Sequence, residues 1–262
     1  MIGRTRFAFT VLCFGYAFLY LPIALVIVYS FNASRLVTVW AGFSLHWWEA
    51  LFHNEAMLAA AWLSLRVALA SATLAALLGL AAGYVLARIP RFFGRALFGS
   101  LVIAPMVMPE VVMGISMLLL FVGAERFLGG PGRGFLSIVI SHTTFSLAFV
   151  AIVVQARLAD FDRSLEEAAM DLGAGPWTTF RTITLPLIAP ALVSGWLLAF
   201  TLSLDDLIMT QFVAGADTQT LPMKVYSSVR LGVDPQTNVL ATIIVGVAAT
   251  ALVISGRLAR RR

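Results

Sequence analysis

Three acidic residues occur in long apolar stretches of this sequence, where charge is least expected. Glu110 interrupts the apolar run 96–124, and Asp205 and Asp206 follow the run 182–204. A charged side chain at the centre of a bilayer costs about 2.5–3.5 kcal/mol, so it normally faces a cavity or a charged partner. Few basic residues occur at similar depth in these runs. The excess of negative charge therefore predicts a path that accepts a cation.

The two adjacent aspartates cannot both point at one spot on a regular helix, because neighbouring helical residues point about 100° apart. A mixed polar stripe at helical spacing contains Trp196, Ser203, Asp206 and Thr210. This stripe predicts that Asp206 faces the path. Asp205 shares a side with Thr201 and could contact the substrate or a second subunit. Pairing of these acids with Arg or His of a neighbouring helix remains the alternative.

His142 and Gln155 are polar residues of another apolar run. Polar side chains within a membrane face protein or a cavity. A hydrogen bond between helices is favoured over a substrate contact for both residues.

A polar segment, residues 158–186, contains several residues of the types that begin and end helices. Ser164 and Glu167 fit a capping box, and Gly173 stands where a left-handed cap would end the helix. An apolar stripe at helical spacing consists of Leu165, Ala168, Ala169 and Leu172. Pro176 suits the first position of a second helix. Because so short a helix needs a surface to pack on, it either packs on the chain itself or docks onto a partner.

Composition indicates that lipid surrounds these elements. The chain has 262 residues, of which 60% are hydrophobic and only 12% charged. Apolar runs of about 20 residues suffice to span a bilayer. We expect one all-α membrane domain over residues 1–262 with six spans, at approximately 7–31, 66–88, 96–122, 134–157, 184–212 and 236–257. The first run is longer than a signal-peptide core and is interpreted as a retained span.

Arginine distribution predicts the orientation of the spans, because cytoplasmic loops hold the excess of Lys and Arg. The richer set of span ends contains Arg4, Arg6, Arg88, Arg91, Arg95, Arg157, Arg163, Arg181, Arg257, Arg260, Arg261 and Arg262. Both termini and the segment 158–186 are therefore expected in the cytoplasm. The positive charge then reflects topology rather than nucleic-acid binding, for which no recognition motif is present.

Several kinds of chemistry are not supported by the sequence. A phosphate-binding P-loop needs a Gly-Lys-Ser/Thr sequence, and the only lysine, Lys224, follows Met223. Any ATP used must be hydrolysed by another polypeptide. The lone Cys13 makes no internal disulfide, and neither a metal site nor a cofactor is predicted. A membrane enzyme has little support, since no catalytic motif such as HExxH or GxSxG appears.

The polar segment resembles the EAA loop of permease subunits of bacterial binding-protein-dependent ABC importers. The matching residues are Glu167, Ala168, Ala169, Gly173, Ile183, Leu185 and Pro186. The resemblance implies the MetI-like permease fold, with 165–172 as the coupling helix that sits in a cleft of a cytoplasmic ATPase. Glu167 would be the anchoring charge of that helix. Gly173 would form the turn that lets the second helix fold back.

Further stretches resemble the polyamine permeases of this family, above all those of putrescine importers. They are Tyr29–Asn32, Val37–Trp48, Thr201–Leu207 and Leu221–Gly232. Glu110 departs slightly, since an Asp is expected after the Pro. The resemblance implies an inner-membrane assembly with a dimer of ATP-binding subunits, a second homologous permease and a periplasmic polyamine-binding protein. Import of spermidine or another cationic solute, and an ion-gradient-driven secondary transporter, remain the alternatives.

Overall fold

The structure is a computed structural model that describes residues 2–36, 39–129, 132–232 and 234–259. Over these residues the regular elements are all helical, and the only β-type pairing is a bridge between Asn32 and Phe43. The chain forms two compact units. The smaller consists of Met1–Ala59 with Lys224–Arg262, and the larger consists of Ala60–Met223.

Twelve α-helices can be followed along the described residues. They are α1 (Ile2–Tyr29), α2 (His46–Phe52), α3 (Glu55–Arg88), α4 (Arg95–Val107), α5 (Glu110–Leu128), α6 (Phe135–Ala159), α7 (Ser164–Asp171), α8 (Pro176–Thr179), α9 (Leu185–Leu204), α10 (Ile208–Val213), α11 (Leu221–Leu231) and α12 (Pro235–Ala259). A π-helical turn, Phe180–Thr184, joins α8 to α9.

The core of the larger unit lies where α3, α6 and α9 pack together. Its buried residues are Ala72, Ala75, Val150, Val154, Leu158, Ile188 and Ala199. Small residues let the helix backbones approach closely, which is how membrane helices associate. A Cβ at Gly83 would lie 2.6 Å from the Ala151 carbonyl oxygen, and one at Gly79 would lie 2.7 Å from Cβ of Val150. These two glycines are therefore required by the contact between α3 and α6.

In the smaller unit, Asn32 organises the loop that follows α1. Its Nδ2 donates to the Val39 carbonyl at 2.7 Å, and its Oδ1 accepts from the Ala41 amide at 2.9 Å. Trp48 of α2 donates from Nε1 to the Ser30 carbonyl and stacks on Phe31. The loop is thus held by its own polar groups. Val37 and Thr38, part of the stretch that resembles polyamine permeases, lie outside the described residues.

Among the described residues, four helices are long and apolar enough to cross a membrane, or five if one bent pair counts as a single span. Residues 7–29 of α1, α3, α6 and the continuous stretch 176–204 meet the criterion. The apolar part of α12 within the described residues ends at Val247 and is shorter. The expectation of six spans, like that of a single domain, therefore stays a prediction. Arg260, Arg261 and Arg262 lie outside the described residues.

The expected third span is broken. Helix α4 ends at Val107, α5 begins at Glu110, and the two axes are bent by 112°. Pro109 disfavours a helical conformation in the residue before it, and Met108 is extended, with φ −74° and ψ 138°. Glu110, which was expected in the middle of a helical run, is instead the first residue of α5.

The expected fifth span is also interrupted. Helix α9 ends at Leu204, and the chain resumes as a helix only at Ile208. Asp205 and Asp206 therefore lie in a joint between two helices. The helical spacing from which Asp206 was expected to face the path does not apply here, because no continuous helix passes through these residues. That Asp206 faces the path stays a prediction.

Candidate functional site

Glu110, Asp205 and Asp206 line one cavity of about 340 Å³, although Glu110 lies far from the two aspartates in sequence. The remaining lining residues are His142, Phe145, Ser146, Leu202, Ser203, Leu207, Ile208 and Met209. A cavity of this size is within the usual range for small-molecule sites. The two helix breaks bring these carboxylates to the cavity. Asp205 and Asp206 lie in the joint between α9 and α10, and Glu110 is the first residue after the break between α4 and α5.

The ends of the broken helices make the three carboxylates electrostatically different. Glu110 opens α5, where the positive end of the helix dipole favours negative charge. Asp205 is the C-terminal cap of α9, where the dipole disfavours negative charge. Its side chain is exposed, and its carboxylate forms no ion pair within the described residues. Of the three acids, Asp205 is thus the one whose negative charge is stabilised least by the chain itself.

Asp206 is held by the protein on several sides. Its Oδ2 accepts from the Thr210 amide at 2.8 Å and from the Thr210 hydroxyl at 2.5 Å, which caps the first turn of α10. The same oxygen lies 3.2 Å from Nε2 of His142. The side chain of Asp206 is only 9% exposed. Of the two aspartates Asp205 is therefore the more open to the cavity, and the alternative in which an acid pairs with a neighbouring His applies to Asp206.

His142 connects three helices through both of its ring nitrogens. Nδ1 lies 2.7 Å from the Ser203 hydroxyl of α9, and Nε2 lies 2.9 Å from the Thr210 hydroxyl of α10. Ser203 in turn accepts from the Ser71 hydroxyl of α3 at 2.9 Å. The preference for a helix–helix hydrogen bond at His142 is confirmed. Ser71 was missed, although a lone serine in an alanine-rich run was a possible signal.

The polar stripe expected on the fifth span divides in two. Ser203, Asp206 and Thr210 converge on His142. Trp196 instead donates from Nε1 to the Thr73 hydroxyl at 3.2 Å. Helical spacing therefore grouped Ser203, Asp206 and Thr210 correctly, but not Trp196. The partner that these three residues share, His142, belongs to α6.

The polar segment 158–186 begins with a helix whose N-terminal cap differs from the expected one. The capping box of Ser164 and Glu167 is not formed, because Ser164 is already the first residue of α7 and makes no side-chain cap. Asp162 takes this role, its Oδ1 accepting from the Ser164 amide at 2.9 Å. These hydrogen bonds lower the pKa of the Asp162 carboxyl below its ordinary value of 3.8.

The C-terminal end of α7 has the predicted geometry. Gly173 has φ +88°. The Gly173 amide donates to Met170 and the Ala174 amide to Ala169, which together form a Schellman motif. Pro176 is the first residue of α8, as its fixed φ favours. Left-handed backbone at Gly173 thus turns the chain from α7 into α8.

Helix α7 presents its apolar residues outward. None of its residues is buried, and the side chains of Leu165 and Leu172 are 49% and 91% exposed. Ala168 and Glu167 are also exposed, while Ala169 is half-buried. The sequence left open whether this apolar stripe packs on the chain itself or docks onto a partner. In the structure the stripe does not pack on the chain itself.

An ion pair that the sequence did not indicate ties α7 to the rest of the larger unit. Nε of Arg88, the last residue of α3, lies 3.0 Å from Oε2 of Glu166. Glu166 also accepts from the buried Thr184 hydroxyl, and Arg88 donates to the Leu158 carbonyl at the end of α6. Glu166 therefore faces inward. Its neighbour Glu167, the expected anchoring charge, forms no ion pair within the described residues.

Broken apolar helices around an acidic cavity, together with a short exposed helix outside the apolar runs, are the architecture of a membrane transport subunit. The family model for the binding-protein-dependent transport system inner membrane component matches residues 75–262. The chain belongs to this family of inner-membrane permeases.

Two similar proteins of Escherichia coli K12 align with most of the chain. The putrescine transport system permease protein PotI is 52% identical over 94% of this chain and 88% of its own length. The spermidine/putrescine transport system permease protein PotC is 43% identical over 94% of this chain and 90% of its own length.

Solved structures show the same fold. A chain of a bacterial ABC transporter involved in the import of the acidic polysaccharide alginate matches with a TM-score of 0.74 and 18% identity, covering 98% of this chain and 95% of that one. A chain of the inward-facing MetNI methionine ABC transporter matches with a TM-score of 0.62 and 18% identity, covering 78% and 94%. The chain has the all-helical, MetI-like fold of ABC importer permeases.

Proposed function

We propose that this chain is a permease subunit of an ATP-driven polyamine importer and forms half of its translocation path. Putrescine is the substrate best supported, because it is named for the relative that is 52% identical over nearly the whole chain. Spermidine is the second candidate, supported by the relative at 43% identity.

One observation carries the proposal beyond family membership: three carboxylates line a single cavity at two breaks in apolar helices. Charges at such sites mark substrate and ion pathways in membrane proteins. A cationic solute supplies the positive charge that the cavity lacks, whereas an anion would add like charge. Broken helices beside a binding site also leave backbone groups available to a substrate. Glu110, Asp205 and Asp206 are therefore proposed to line the substrate path.

The ATPase is proposed to act on this chain through residues 165–172. The exposed ridge of α7 offers Leu165, Ala168, Ala169 and Leu172 to a groove of a separate cytoplasmic ATPase, in the manner of a helix in a groove. Glu167 supplies an exposed charge beside that ridge, and Gly173 sets its exit angle. The chain contains no Gly-Lys-Ser/Thr sequence for phosphate binding, so the ATP is hydrolysed by a dimer of partner subunits.

The proposed assembly comprises this permease, a second homologous permease, two ATPase subunits and a periplasmic binding protein that delivers the polyamine. The distribution of arginines favours six spans with both termini in the cytoplasm. Binding and hydrolysis of ATP then shift the path between outward and inward states, which requires that substrate and ATP bind the two states unequally.

Reconstitution in lipid vesicles tests the proposal. All partner subunits are included, and uptake of labelled putrescine is measured with ATP, without ATP, and with an ionophore that abolishes ion gradients. We expect uptake that needs ATP and survives the ionophore. Uptake that needs the gradient instead of ATP would identify a secondary transporter. ATP-driven uptake of spermidine without putrescine would make spermidine the substrate.

A further inference from the structure

The carboxylate of Glu166 contacts a different part of the larger unit with each of its two oxygens. Oε1 accepts a hydrogen bond from the Thr184 hydroxyl at 2.5 Å, and Oε2 lies 3.0 Å from Nε of Arg88. Among the described residues, Glu166 is the only member of α7 whose side chain forms an ion pair or a hydrogen bond with another element. The polar contacts that α7 side chains make with the described helices therefore all involve one carboxylate.

Thr184 places one of these contacts at the start of α9. It is the last residue of the π-helical turn and directly precedes that helix, and its side chain is buried. Helix α9 has 20 residues and is therefore about 30 Å long. Its C-terminal cap, Asp205, lines the acidic cavity. A displacement of α7 that moves Thr184 is thus carried to the cavity along a single helix.

Arg88 extends the contact to two further helices. It is the last residue of α3, and its Nη1 donates to the Leu158 carbonyl of α6 at 3.2 Å. Helix α6 lines the cavity with His142 and Ser146, among others. The Glu166 carboxylate is therefore connected to each of the three helices, α3, α6 and α9, that form the core of the larger unit.

Stability alone does not account for a buried charge at the base of an exposed helix. Apolar residues that replace a buried ion pair are often neutral or stabilising, because the two charges must be removed from water. The side chains of Arg88 and Glu166 are only 9% and 12% exposed. Leu165 and Leu172 of the same short helix are instead exposed. Helix α7 thus has an apolar outer surface and a single charged attachment on its inner side.

We propose that Glu166, held by Thr184 and Arg88, is the positioning residue that transmits a movement of α7 to the helices around the acidic cavity. Glu166 touches neither the substrate nor the ATPase. This inference rests on the proposed function and specifies how the exposed helix acts on the substrate path. If the contact with Thr184 is weakened, α7 moves without α9, and ATP is hydrolysed without import.

The test measures ATP hydrolysed per putrescine imported, in vesicles that contain all partner subunits. Both rates come from one preparation, so that the amount of active assembly cancels. Thr184→Val removes the hydroxyl at nearly constant shape, and Thr184→Ser keeps it. We expect the ratio to rise at least about threefold in the valine variant, since a hydrogen bond to a charged group changes an equilibrium by a factor of about ten or more. The serine variant should stay near the wild-type ratio.

A neighbouring threonine provides the matched control. Thr182 is exposed, and its hydroxyl donates to the Thr178 carbonyl, four residues earlier in the same helical stretch. Thr182→Val should therefore keep the wild-type ratio.

Glu166→Gln tests the other contact and decides the question if Thr184→Val does not assemble. The amide still offers an oxygen to Thr184 but removes the charge that faces Arg88. We expect a raised ratio with unchanged copurification of the ATPase subunit, because this side chain faces inward. The proposal is overturned if Thr184→Val keeps the wild-type ratio, if Thr184→Ser raises it as much as Thr184→Val does, or if Glu166→Gln lowers hydrolysis and uptake in proportion.

These outcomes are distinct from failure of the proposed function. If the wild-type assembly imports no polyamine with ATP, the proposed function is wrong. If it imports putrescine with ATP and the Thr184 and Glu166 variants keep its ratio, only the transmission through Glu166 is wrong.

Discussion

Arg88 and Glu166 form an ion pair, with Nε and Oε2 separated by 3.0 Å, that joins the end of α3 to the exposed helix α7. Both side chains are largely buried, at 9% and 12% exposure. The guanidinium also lies over the ring of Phe161, at 5.4 Å from its centroid. A movement of α7 must therefore move the end of α3 or break a buried pair. The inward-facing Glu166 fixes the helix, while the side chain of the adjacent Glu167 is exposed.

The ion pair should contribute measurably to stability. Arg88→Met and Glu166→Met each leave an unpaired buried charge, which costs about 3–5 kcal/mol in buried pairs. Thermal unfolding of the detergent-solubilised protein would show a lowered midpoint for each variant. The double variant should lose less than the sum of the two, because neither charge is then left unpaired. Arg91→Met, in an exposed residue close by, is the control; single variants as stable as this one would contradict the prediction.

The turn after α7 should require glycine. Gly173→Ala places a Cβ at φ +88°, which costs about 1–2 kcal/mol in the left-handed region. We expect weaker copurification with the ATPase subunit and slower ATP-dependent uptake, because the exit angle of α7 changes. Asn tolerates left-handed backbone better than Ala does, so Gly173→Asn should retain more of both activities.

A glycine two residues further on supplies the control for this prediction. Gly175 has φ −68°, and a Cβ there would meet no atom within 4 Å. Gly175→Ala should therefore behave as wild type. Equal effects of alanine at both glycines would show that flexibility, rather than left-handed geometry, is what this loop needs.

Neutral replacements at the open carboxylates should weaken polyamine uptake. Glu110→Gln and Asp205→Asn each remove one charge that we propose to contact an ammonium group, and hydrogen bonds to charged groups contribute about 1.5–3 kcal/mol. A rise in KM of roughly tenfold or more for putrescine is expected, measured as initial rates of ATP-driven uptake. Asp217→Asn changes an exposed acid that does not line the cavity and should leave KM unaltered. Normal KM values in both cavity variants would remove these acids from the path.

The cap at Asp162 should not depend on pH near neutrality. Its pKa is lowered by hydrogen bonds from Ser164, so the stabilisation is fully present above the ordinary value of 3.8 and is lost as the pH falls through the lower folded value. Amide hydrogen exchange at the start of α7 should thus show the same protection free energy from about pH 5 to pH 8. Asp162→Ala should lower that protection and Asp162→Asn, which still offers an oxygen, should largely keep it. Equal protection in the alanine variant would mean that the cap contributes nothing.

Much of this protein is determined by its sequence alone. Apolar runs with little charge specify helices in lipid, because backbone groups in a membrane must be satisfied within the segment. Gly173 and Pro176 specify the turn between α7 and α8, because local backbone preferences act over only a few residues. The rarity of charge in apolar runs likewise singled out Glu110, Asp205 and Asp206 before any contact was known.

Tertiary structure decided which of these groups are free. The sequence could not indicate that α9 stops before Asp205, that His142 of α6 reaches Asp206, or that Arg88 of α3 selects Glu166 rather than Glu167. Each of these facts depends on helices that meet across long separations in the chain, and residue spacing carries information only within one helix. Which carboxylates are open to the cavity is therefore a property of the packed helices, although each of these acids is visible in the sequence.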